Sequence, residues 1–151
     1  AFYMPSLVYI NVSALSTLSE REFSSGMAEI IKHGLIRDKG YYAELDKNRE
    51  SIRSKDPDVL EEMIYKSLCI KAAVVEEDPK EQGIRAILNF GHTLGHAIER
   101  YMDFEYTHGE CVALGCLAAL KICVSRGSVT ERELEDAEEL FAYFSLPQCL
   151  Q

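Results

Sequence analysis

Basic residues are scarce in this chain: 16 Lys and Arg stand against 25 Asp and Glu, a formal net charge of −9 over 151 residues. That deficit argues against nucleic acid as the partner, because phosphate backbones are held by clustered cations. It does not exclude a small anionic ligand, since surface charge is screened over ~8 Å and a cleft is governed by its own residues. Long hydrophobic runs are lacking too. The longest, around 111–124, contains Lys121 and reads as a core helix rather than a membrane span. No signal peptide is read at the start, where Ala-Phe-Tyr-Met-Pro looks like the interior of a longer chain. The cysteines are odd in number, five, and three of them fall in one apolar stretch. They read as reduced thiols of a cytoplasmic protein, not as a disulfide framework. There is no internal repeat and no low-complexity segment. Neither His-Glu-x-x-His nor His-Asp occurs, so the usual marks of zinc proteases and helical phosphohydrolases are missing.

What is present is an ordinary globular balance, 47% hydrophobic and 27% charged, over a length that supports one domain with a real core. Residues 7–12 (Leu-Val-Tyr-Ile-Asn-Val) read as one short strand with no sheet to join. Residues 1–17 are expected to be an extended arm or a strand left from the interdomain region, belonging to a partner domain. Everything from 18 to 151 reads as helix, which predicts an all-α bundle. Ser19 and Glu22 make a capping box for a helix whose apolar positions are Phe23, Met27, Ile30, Ile31 and Leu35. A short helix is expected near 39–48. Asp56-Pro57 opens the next helix, with Leu60, Met63, Ile64, Ser67, Leu68, Val74 and Val75 on its inner face and Lys71 in the same stripe. Thr107 with Glu110 and Thr130 with Glu133 are further capping boxes, the first placing His108 in an opening turn.

The chemistry concentrates between 85 and 110. Arg85, Asn89, His92 and His96 recur at steps of four, three and four, which predicts one helical face carrying a guanidinium, an amide and two imidazoles. His92 and His96 have the spacing that lets two rings grip one metal, and His108 lies within reach. Glu29 offers a carboxylate oxygen or is a solvated helix residue. Lys32, one turn on, reaches the same place or pairs with it. Lys71 in an apolar stripe reaches water, a carboxylate or a bound anion. Arg85 presents a fork suited to carboxylate or phosphate. His33 reads as a packing or surface group.

Three stretches carry a resemblance: 25–36 (Ser-Gly-Met-Ala-Glu-Ile-Ile-Lys-His-Gly-Leu-Ile), 71–99 with its core Asn-Phe-Gly-His-Thr-Leu-Gly-His, and 108–115 (His-Gly-Glu-Cys-Val-Ala-Leu-Gly). In this order and separation they closely resemble the C-terminal, metal-binding half of the 3-dehydroquinate synthase family, within the sugar-phosphate cyclases. The resemblance implies conversion of 3-deoxy-D-arabino-heptulosonate 7-phosphate to 3-dehydroquinate and phosphate in the shikimate pathway, with NAD as transient oxidant. It implies Glu29, His92 and His108 as ligands of zinc or cobalt, and His96 as a substrate-contacting, proton-handling residue. Arg85 and Asn89 would hold the carboxylate end and hydroxyls of the substrate, with Lys32 and Lys71 adding positive charge. The family's N-terminal nucleotide-binding half is absent from these residues, so the chain alone is expected to lack NAD binding and turnover. Homodimers are implied for the whole enzyme. The rival readings are a sister cyclase making a valiolone or 2-deoxy-scyllo-inosose, and a non-catalytic metal-binding helical module.

Overall fold

A computed structural model describes residues 6–150; the first five residues of the expected arm, and Gln151, lie outside the described residues. Seven α-helices follow a short 3₁₀ segment at Val12–Thr17: α1 (Glu20–Arg37), α2 (Lys39–Lys47), α3 (Arg49–Arg53), α4 (Pro57–Glu77), α5 (His92–Tyr101), α6 (His108–Ser125) and α7 (Glu131–Tyr143). A second 3₁₀ helix, Ile84–Asn89, lies between α4 and α5. No strand occurs among the described residues, and the architecture is the all-α bundle that the patterning predicts.

The starts are fixed by side chains that satisfy the otherwise unpaired first-turn amides. All three capping boxes form: Ser19 with Glu22, Thr107 with Glu110, and Thr130 with Glu133. Asp38 caps α2 by accepting from the Tyr41 amide at 2.9 Å, and Asp56 caps α4 ahead of Pro57.

The centre is α6, which packs against α1, α5 and α7. It is long and apolar enough by composition to cross a membrane, 18 residues at mean hydropathy 1.4, yet half of that stretch is buried within the bundle. Val112, Cys116, Leu117 and Leu120 of α6 meet Met27 and Ile31 of α1 and Leu140 and Phe141 of α7 in one core. Each large side chain removed from water there contributes about 1.5–3 kcal/mol.

Three expectations fail, each for a physical reason. The strand over 7–12 does not form. Its backbone groups find no neighbouring strand among the described residues, and Asn11 instead accepts from the Ser13 amide at 3.1 Å and starts the first 3₁₀ turn. The single helical face through 85–96 is broken. Gly91 has φ +78°, a left-handed conformation that cannot continue a helix, so α5 begins afresh at His92. A Cβ at Gly91 would also lie 2.6 Å from Cys116 Sγ. Arg85 and Asn89 therefore belong to a separate 3₁₀ helix. Finally, Leu68, expected on the inner face of α4, is exposed, and Lys71 beside it reaches water; the lysine that is buried is Lys32, at 2% exposure.

Candidate metal centre

Three elements converge on one point. α1 supplies Glu29, while α5 and α6 supply His92 and His108 from their first positions. Glu29 Oε1 lies 3.4 Å from His92 Nε2 and 3.7 Å from His108 Nε2, and one ligand atom from each residue falls within 4.8 Å of the others. Donors about 2.1 Å from a tetrahedral zinc ion stand about 3.4 Å apart, so little closure is needed.

Local packing explains the convergence. Gly109 lets α6 approach α1 so closely that a Cβ there would stand 2.0 Å from the Ser25 carbonyl oxygen, and its amide donates to Ser25 Oγ at 3.0 Å. Arg21 clamps the same junction, donating to both oxygens of Glu110 at 2.9 and 2.7 Å and to the Glu105 carbonyl at 2.8 Å. His108 is thereby held opposite Glu29.

Electrostatics keep the donors in their binding forms. Burial pushes the Glu29 carboxyl up, but the Lys32 hydrogen bond and charge, aided by His92 and His33, outweigh it and leave the group below its ordinary value. Burial and then the charge of Lys32 lower His92, favouring the neutral ring. Glu29 Oε2 accepts from Lys32 Nζ at 2.7 Å, whereas Oε1 is buried with no hydrogen-bond donor. A buried carboxylate oxygen left unpaired is costly unless a cation occupies the space it faces. Two imidazole nitrogens and that oxygen make a donor set that fits zinc or cobalt.

Beside the triad runs a cleft of about 280 Å³, whose lining includes Lys32, Lys71, Arg85 and Asn89. Its three cations outnumber its two carboxylates, Glu29 and Glu81, so the cleft is more positive than the acidic chain as a whole. Arg85 is positioned by the Asp78 carboxylate, which accepts from the amides of Gln82, Gly83 and Arg85 and folds the loop ahead of the second 3₁₀ helix. Arg85 Nη1 donates to the Pro79 carbonyl at 3.1 Å and Asn89 Nδ2 to Glu81 Oε1 at 3.2 Å. Two larger clefts, about 400 and 500 Å³, lie between the N-terminal arm and α4 and gather no comparable set of cations.

His96 stands apart from this cleft. It is exposed, one turn along α5, with its ring 5.5 Å from His92 and 5.9 Å from His108. The spacing-based pairing of His92 with His96 is thus not the tightest cluster; His92 faces Glu29 instead. Two lining residues were missed. His33 is buried, accepts from or donates to Ser67 Oγ at 2.7 Å, and has its pKa lowered to about 4, by burial first and the charge of Lys32 second. Glu81 enters through a left-handed turn at φ +56°. Its signal was weak, since nothing in the local pattern points a loop glutamate inward. For His33 the adjacent Lys32 was the available clue.

Residues 26–151 match the 3-dehydroquinate synthase C-terminal family. Among curated relatives, the 3-dehydroquinate synthase of Acetivibrio thermocellus is 46% identical over 151 residues, covering 100% of this chain and 42% of that protein. The corresponding enzyme of Symbiobacterium thermophilum is 48% identical over 135 residues, covering 89% of this chain and 38% of that protein. The chain thus spans about two-fifths of the length of these relatives. Among solved structures, the 2-epi-5-epi-valiolone synthase of Streptomyces hygroscopicus, with NAD+ and Zn2+ bound, superposes with a TM-score of 0.87 at 24% identity, over 93% of this chain and 40% of that one. That likeness agrees with the helical architecture described above. The chain belongs to the 3-dehydroquinate synthase C-terminal family.

Proposed function

We propose that this chain is the metal- and substrate-binding part of a 3-dehydroquinate synthase, a lyase that converts 3-deoxy-D-arabino-heptulosonate 7-phosphate to 3-dehydroquinate and phosphate. The observation that carries the reading is the buried, unpaired Oε1 of Glu29, facing both His92 Nε2 and His108 Nε2 beside a cleft lined with cations. Glu29, His92 and His108 hold zinc or cobalt. When bound, the ion supplies a Lewis acid for a substrate hydroxyl, and NAD, held mainly outside this chain, supplies a reversible hydride acceptor.

The remaining work falls to side chains of this chain. The Arg85 fork binds the substrate carboxylate, with the Asn89 amide on a neighbouring hydroxyl. Lys71 and Lys32 neutralise the charge that a sugar phosphate brings into the cleft, and Lys32 holds Glu29 as a carboxylate. His96, outside the cleft lining but with its ring 5.5 Å from that of His92, handles a proton of substrate that extends past the cleft to the exposed side of the histidines. The homodimer implied by the resemblance and the cytoplasmic location read from the cysteines belong to the same proposal.

A sister cyclase is the rival reading; the likeness to the valiolone synthase, at 24% identity, reflects the shared fold and does not favour it. The test is phosphate release by the full-length protein, supplied with NAD and zinc, from the heptulosonate phosphate and from a sugar phosphate without a carboxylate. Release from the first alone, with Arg85→Ala raising KM at least tenfold, supports the synthase. Release only from the second overturns it.

A further inference from the structure

The two histidines of the metal centre present the same nitrogen inward. His92 and His108 both turn Nε2 to Glu29 Oε1. A neutral imidazole that binds through Nε2 carries its proton on Nδ1, and that proton needs an acceptor if the ring is to stay in one tautomer and orientation. For His92 the acceptor is a backbone oxygen: Nδ1 lies 3.3 Å from the Phe90 carbonyl. For His108 the corresponding nitrogen faces a side chain. His108 Nδ1 lies 3.7 Å from Glu99 Oε1, while Glu99 is only 22% exposed.

The fold holds Glu99 there. It lies one turn beyond Gly95 on α5, and Gly95 is pressed against α6, where a Cβ would be 3.1 Å from the Cys111 carbonyl oxygen. The same contact between α5 and α6 thus carries Glu99 to the outer edge of the His108 ring, opposite Glu29. Resting on the metal-binding reading above, we infer that Glu99 is a positioning residue: its carboxylate accepts the Nδ1 proton of His108 and holds Nε2 toward the metal. His96, Glu99 and His108 also form a group able to hold an ion of their own, which makes a second metal the competing role for Glu99.

Zinc affinity and stoichiometry, measured by chelator competition on the purified protein, separate these roles. Glu99→Ala is expected to bind one zinc roughly 10–100-fold more weakly than the unmodified chain. Glu99→Gln, whose amide oxygen still accepts from Nδ1, is expected to stay within a few-fold of it. Nitrogen-15 spectra of the zinc-loaded unmodified protein are expected to show His108 protonated at Nδ1 and metal-bound at Nε2. Unchanged affinity in Glu99→Ala, alongside a large loss in Glu29→Gln, overturns the role of Glu99 and leaves the metal reading standing. Unchanged affinity in both variants overturns the metal reading itself. A second zinc lost in Glu99→Ala, or His108 bound through Nδ1, makes Glu99 something other than a positioning residue.

Discussion

Lys32 Nζ lies 2.7 Å from Glu29 Oε2, one helical turn away, and the lysine is almost wholly buried. It also donates to the Leu88 carbonyl at 2.7 Å, tying α1 to the segment that carries Arg85 and Asn89. The glutamate is thereby split between two tasks. One oxygen is neutralised by an internal cation, and the other is left for the histidines.

That division predicts the behaviour of Lys32→Met. Without the cation, burial acts on Glu29 against only the smaller pull of His92 and His33 and its carboxyl moves up, so protons compete with metal at higher pH. The pH at which zinc binding is half lost is expected to rise by about one unit. Zinc titrations between pH 5 and 7.5 check this; an unchanged midpoint contradicts it.

Two glycines on neighbouring helices should respond with opposite signs. Gly109→Ala drives a Cβ into the Ser25 backbone, so α6 must move off α1, at about 3 kcal/mol, and zinc binding weakens as His108 shifts. Gly26→Ala meets nothing within 4 Å and lies inside α1, so it is expected to stabilise by about 0.5–1 kcal/mol. Urea denaturation of both variants is the measurement. Equal effects would contradict the packing account.

His33 sets a pH dependence of stability. Its folded value of about 4 lies below its ordinary 6.5, so the unfolded chain binds the extra proton more readily. Stability therefore rises with pH across this window and falls as the solution is acidified from about 6.5 toward 4. Between pH 7 and 5 the loss from this group is about 2 kcal/mol. His33→Gln should remove most of that slope when metal-free protein is unfolded in urea at both pH values. An equal slope in both proteins would show that His33 is not its source.

Much of the scaffold was legible because it is written locally. Ser19 with Glu22, Thr107 with Glu110, and Asp56 before Pro57 are each short-range devices, and each starts a helix where expected. The stripe through Arg85, Asn89, His92 and His96 misled because steps of four and three are necessary for a helical face but not sufficient. Gly91 ended that helix through its backbone, as a tertiary contact with Cys116 demands. Leu68 misled in a similar way: helical spacing says which residues share a stripe, not where along α4 the neighbouring helix stops covering it. Glu29 was the hardest to judge from sequence. Its distinction from a solvated glutamate lies wholly in what α5 and α6 bring to it.

The most direct measurement is X-ray absorption on the protein loaded with one equivalent of zinc, alongside His92→Ala. The expected first shell holds two imidazole nitrogens at about 2.0–2.1 Å and carboxylate oxygen at about 2.0–2.2 Å. In the variant the imidazole contribution should halve. A shell without imidazole, or one unchanged by His92→Ala, would contradict a metal centre built from Glu29, His92 and His108.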